Sequence, residues 1–91
     1  MDRNKFLEHK VRKYVIATLT SPTYYLSKNI LSGKYSFVPV SGATKCNTLN
    51  MAQNMLSYYY SDTKDNIELV VVPVDITYEL VYEDACIDRL N

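Results

Sequence analysis

Strand-like and turn-like stretches fill most of this chain, with one segment of helical spacing between them. Residues 11–20, Val-Arg-Lys-Tyr-Val-Ile-Ala-Thr-Leu-Thr, are rich in β-branched and aromatic side chains and predict a strand. Ser21-Pro22-Thr23 predicts a turn, because proline presets φ at the second turn position and serine bonds back to the backbone. Residues 24–27 resume the extended pattern and close a first hairpin. Ser32-Gly33 marks another turn. Residues 34–38 then predict a third short strand, stopped by Pro39, which has no N–H for a ladder.

Residues 47–60 predict the helix. Asn47 or Thr48 can cap it, and Leu49, Ala52, Leu56, Tyr59 and Tyr60 recur at spacings that stack them along one face. Met51, Met55 and Tyr58 form a second apolar edge, and Asn50, Gln53, Asn54 and Ser57 fill the rest. No residue of this helix is charged. Residues 61–66 predict a polar loop. Residues 67–74 are apolar on both faces, as a strand in the middle of a sheet would be. Period-2 alternation then continues to Tyr82, with Pro73 as a bulge or an edge site and a break expected near Pro73 or Glu79. The pattern reads as a continuing strand, with a terminal helix from Tyr78 through Val81, Tyr82 and Ala85 as the rival over residues 78–90. The expected fold is α+β: a small antiparallel sheet in the order β-β-β-α-β, with one helix on one face and an extra C-terminal strand or helix left open. Residues 1–10 are expected to form an N-terminal arm or short helix, and residues 11–91 a single domain.

Composition narrows the classes. At 91 residues with 47 % apolar and 22 % charged residues, the chain is a folder with a thin core. Nine tyrosines stand against two phenylalanines and no tryptophan, which suits half-buried sheet faces and protein interfaces. No apolar run approaches the ~20 residues of a membrane span, and the N-terminus has no hydrophobic signal region, so a cytoplasmic protein without a membrane partner is expected. Cys46 and Cys86 are expected as reduced core thiols. The net charge of zero conceals a division: residues 1–61 carry eight Lys/Arg and two acids, residues 62–91 eight acids and two Lys/Arg. Internal balance, an anionic partner or pairing between copies would each use it.

Candidate chemistry is sparse. Residues 41–48 precede the helix like a phosphate loop but hold one glycine, and Cys46 stands where a P-loop places Ser or Thr after its lysine. Lys45 at the helix N-terminus remains a candidate for anion binding. His9 is the only histidine, so Cys46 lacks a nearby base, and no metal-ligand spacing or paired acid and base emerges. No catalytic residue, metal site or cofactor is expected. Lys10, Arg12, Lys13, Tyr24, Tyr25 and Lys28 resemble a basic, aromatic sheet face for nucleic acid or nucleotide. Neutral overall charge places that reading second.

Lys13-Tyr14-Val15-Ile16 with Tyr24-Tyr25-Leu26-Ser27-Lys28-Asn29 resembles the opening hairpin of small accessory proteins carried by phages. Ala43-x-x-Cys46-x-Thr48-x-x-x-Ala52 is similar to the start of their helix, with Cys46 in place of the usual bulky residue. The resemblance implies a phage or mobile-element origin and carries no activity or site residues. The expectation is a non-enzymatic protein that binds a host protein as an inhibitor or modulator. Its surface is the uncharged helix edge of Asn50, Met51, Asn54, Met55 and Tyr58, where Tyr and Met are enriched and charge is absent. The alternatives are the nucleic-acid module, placed in the host cytoplasm like the first, and a small structural subunit that self-assembles into a homo-oligomer.

Overall fold

A computed structural model describes residues 8–79. Its elements are β1 (Glu8–Thr18), β2 (Tyr25–Lys28), β3 (Tyr35–Val38), a single 3-10 turn (Val40–Gly42), α1 (Leu49–Thr63) and β4 (Leu69–Glu79). The strands form one antiparallel sheet in the order β3-β2-β1-β4, and α1 packs on one face of it. The protein is therefore a small α+β fold, with the β-β-β-α-β order expected from its pattern.

β1 is the central strand and pairs with β4 along its whole length, from Glu8↔Glu79 to Thr18↔Leu69. Glu8, His9 and Lys10 thus belong to the sheet rather than to a terminal arm, because Glu79, Tyr78 and Thr77 supply their ladder. The rest of the expected arm, Cys86 and the open question of residues 80–90 lie outside the described residues. β4 is an outer strand, not a middle one. Its register with β1 is unbroken at Pro73, so there is no bulge. Tyr14, opposite Pro73, turns its N–H and C=O the other way, to Cys46 O (2.9 Å) and from Cys46 N (2.8 Å). In an antiparallel ladder the residue facing it also directs its polar groups outward, so the missing proline N–H falls on the open edge and removes no ladder bond.

β1 and β2 pair only at Ala17↔Tyr25 and then diverge. Residues 44–46 fill the gap: Thr44 N donates to Leu26 O (3.1 Å), Thr44 Oγ1 accepts from Lys28 N (2.9 Å), and Cys46 bridges Tyr14. This wedge fixes where the helix begins. Thr48 is the N-cap, its side chain accepting from Met51 N at 3.1 Å, and Lys64 ends the helix in the left-handed region with φ 58°. The helix runs three residues past the expected 60, since Ser61, Asp62 and Thr63 extend it as exposed positions.

Cross-strand register decides which side chains meet α1. Ile16, Leu26, Leu69 and Val71 point to it, and Tyr59 closes the cluster from the helix. Ala52 is wholly buried, which lets the helix backbone approach the sheet. Tyr59 meets Tyr35, Phe37 and Tyr60 edge-on at centroid distances of 5.1, 6.0 and 5.7 Å. Every hydroxyl of the inner tyrosines is used. Tyr35 donates to Asp62 (3.0 Å), Tyr59 to Asp65 (2.7 Å), and Tyr60 donates to Ile67 O (2.8 Å) while accepting from Leu69 N (3.1 Å).

The expected sheet-facing stripe needs one exchange. Leu49, the first helical residue, lies outside the sheet's footprint and is exposed. Met55 joins the inward-facing residues instead, half-buried against the core cluster with Leu56 and Tyr60.

Candidate functional site

Met51, Asn54, Met55 and Tyr58 stand at i, i+3, i+4 and i+7, a spacing that aligns them along one side of a helix. Together with Lys28 of β2 and Cys46 of the wedge they line an open pocket of about 330 Å³. Four of the five residues expected at a protein-binding edge therefore line a concave surface, and Asn50 is exposed outside the lining. Tyr58 is 63 % and Met51 49 % exposed, so both are accessible, whereas Met55 is held from below by the core.

Cys46 closes the floor at 6 % exposure. Burial pushes its thiol pKa upward, and His9 pairs with Tyr78 five strand positions away from Tyr14, roughly 16 Å along β1. With its thiol buried and no base beside it, Cys46 is suited to shaping the pocket rather than to nucleophilic attack. Lys28 is the only charged residue in the lining, its ammonium 5.3 Å from the centroid of the Tyr35 ring. No carboxylate lines the pocket. The surface is thus apolar with one cation and one amide, Asn54, to orient a ligand.

The residues considered for nucleic acid are distributed otherwise. Lys10 and Arg12 project from the helix-bearing side of β1, and Lys13 from the opposite side. Arg12 makes a two-pronged ion pair across the ladder with Asp75, Nε to Oδ1 at 2.8 Å and a terminal nitrogen to Oδ2 at 3.1 Å. That hydrogen bond lowers the Asp75 pKa and raises that of Arg12. Lys13 donates to Asn47 Oδ1. Tyr24 sits in the β1–β2 loop, exchanging hydrogen bonds with Thr18, about 26 Å along β1 from Lys10. Tyr25 is half-buried on the side away from α1, opposite Ala17. These groups do not meet on one face.

Lys45 is spoken for as well. Its ammonium donates to Val40 O (3.2 Å), Ser41 O (3.2 Å) and Ala43 O (3.1 Å), closing the end of the 3-10 turn. The ammonium that is a candidate partner for an anion is instead engaged by three backbone carbonyls, a role that a lysine near a glycine in sequence gives no hint of. Asp62 and Asp65 accept tyrosine hydroxyls rather than framing a cation site. Among the described residues no three His, Cys, Asp or Glu side chains gather for a metal, and no helix is long and apolar enough to cross a membrane.

Sequence reasoning missed Lys28 and Cys46 as parts of the pocket. Both reach it through the splayed β1–β2 pair, which no local pattern reveals. Comparison with protein-family models, with curated proteins and with solved structures gives no match.

Proposed function

We propose that this chain is a non-enzymatic protein-binding module that uses the groove between α1, Lys28 and Cys46 to hold an apolar side chain of its partner. One observation carries the reading: an uncharged helix stripe of Met51, Asn54, Met55 and Tyr58 lines an open pocket, with Tyr58 and Met51 accessible at its rim. Tyrosine and methionine supply large contact area and adaptable packing, and a rim poor in charge keeps desolvation costs low. The resemblance to small phage-borne proteins makes the partner a host protein and the action a stoichiometric inhibition or modulation.

The test is Met51→Lys with Tyr58→Glu, both at accessible positions that leave the core intact. Capture from host lysate with the parent chain should recover a partner in stoichiometric amount, and the double variant should lose it while keeping its circular dichroism. Recovery of the same partner by the variant would refute the groove as the binding surface. A parent that runs as a dimer, and a variant that runs as a monomer, would assign the groove to self-assembly instead.

A further inference from the structure

The β2–β3 turn carries the most exposed large apolar side chains among the described residues. Ile30 and Leu31 are 94 % and 98 % exposed at its tip. Adjacent aliphatic side chains held in water represent burial that an apolar partner could still supply. The tip is well tied. Asn29 N donates to Lys34 O (2.9 Å) and Gly33 N to Asn29 O (2.7 Å). Asn29 Oδ1 accepts from Leu31 N (2.9 Å) and Ser32 N (3.1 Å), and Lys34 N donates to Ser32 Oγ (3.2 Å). Gly33 supplies the positive φ of 74° that the turn requires. Ile30 and Leu31 are therefore presented in a set geometry, and docking them would cost little further ordering.

The flanks of the turn matter as much as its tip. Residues 28–34 read Lys-Asn-Ile-Leu-Ser-Gly-Lys, with an exposed lysine at each foot and no carboxylate between Glu8 and Asp62 anywhere in the sequence. The lysines stand at the two feet of the turn, behind the apolar pair at its tip. Elements that lie on a bilayer sink their apolar side chains about 5–10 Å into the boundary between headgroups and acyl chains. At that depth Ile30 and Leu31 would reach the acyl layer, with the lysines at the feet of the turn on the headgroup side. A protein pocket would accept the two aliphatic side chains but would not by itself call for the paired lysines.

We propose that the β2–β3 tip is a peripheral membrane contact, in which Ile30 and Leu31 insert into an anionic lipid surface and Lys28 and Lys34 bind its phosphate groups. Lys28 also lines the groove, whereas Ile30, Leu31 and Lys34 lie outside that lining, so the tip and Lys34 carry the contact whatever the groove holds.

The chain has no tryptophan, so Leu31→Trp in the full chain gives a single reporter at the tip. With vesicles of phosphatidylserine and phosphatidylcholine in equal parts, its emission should shift to the blue, and with phosphatidylcholine alone it should not. Co-sedimentation with the mixed vesicles should weaken about fivefold for Lys34→Ala and at least tenfold for Ile30→Ser with Leu31→Ser. Those side chains are exposed, so circular dichroism should be unchanged. The proposal is overturned if neither vesicle shifts the emission, if both bind equally well, or if the serine variant sediments like the parent.

Discussion

Tyr59→Ala removes the aromatic ring at the centre of the helix–sheet contact. The ring is buried, stands edge-on to Tyr35, Phe37 and Tyr60, and lies in one cluster with Ile16, Leu26 and Leu69. Large aromatic-to-alanine deletions in cores cost about 3–5 kcal/mol, and a domain of this size has about 5–14 kcal/mol in total. The variant should therefore lose about a fifth of its stability or more. Tyr59→Phe keeps the ring and deletes only the hydroxyl bound to Asp65, so it should cost about 0.5–1.5 kcal/mol. Tyr58→Ala, one position along at a site 63 % exposed, should stay within about 0.5 kcal/mol of the parent. Urea unfolding followed by circular dichroism measures all three, with midpoints compared at constant slope. A loss below about 1 kcal/mol for Tyr59→Ala, or an equal loss for Tyr58→Ala, would refute the register of α1 on the sheet.

Further expectations follow from the same contacts. Burial first, and then the hydrogen bonds to Asp65 and Asp62, raise the Tyr59 and Tyr35 hydroxyls above their ordinary value of 10.0. The folded state holds these protons more tightly than the unfolded chain, so that stability is fully present below pH 10 and is lost as pH rises through the folded values. Tyr59→Phe with Tyr35→Phe should flatten the alkaline fall in a pH series of urea midpoints. Lys45→Met should cost about 1–3 kcal/mol by releasing three carbonyls of the 3-10 turn, and an unchanged urea midpoint would contradict the cage. Thr48→Ala should cost about 0.5–2 kcal/mol through loss of the cap to Met51 N, read from the same unfolding curve. Cys46 should react with a thiol reagent only at the rate of opening, far slower in the native protein than in urea, as peptide mapping of the adduct would show.

What the sequence disclosed depended on how local each feature is. The helix was legible because Ala52, Leu56 and Tyr59 repeat at helical spacing behind a threonine cap, and both signals are contained in one segment. Strands β2 and β3 were legible to within a residue from their flanking turns. The start of β1 was not, since Glu8, His9 and Lys10 become a strand only through Thr77, Tyr78 and Glu79, almost seventy residues away. The position of β4 is hidden for a related reason. Its valines on both faces suggested a central strand, but those on the side away from α1 pair with Val15 and Ala17 at the outer edge of the sheet. Of the candidate site, the helix stripe could be read from spacing alone. Its other wall could not, because Lys28 and Cys46 meet it only where residues 44–46 wedge between diverging strands. The fate of Lys45 was equally hidden, being set by three backbone carbonyls rather than by neighbouring side chains.

The most direct test of the groove as a protein-binding surface is site-specific photo-crosslinking. A photoreactive phenylalanine derivative at position 58, on the rim of the pocket, is compared with the same group at position 53, an exposed helix residue outside the lining. In host cells position 58 should give one dominant protein adduct and position 53 none. No adduct from position 58, or the same adducts from both positions, would contradict the groove as the binding surface.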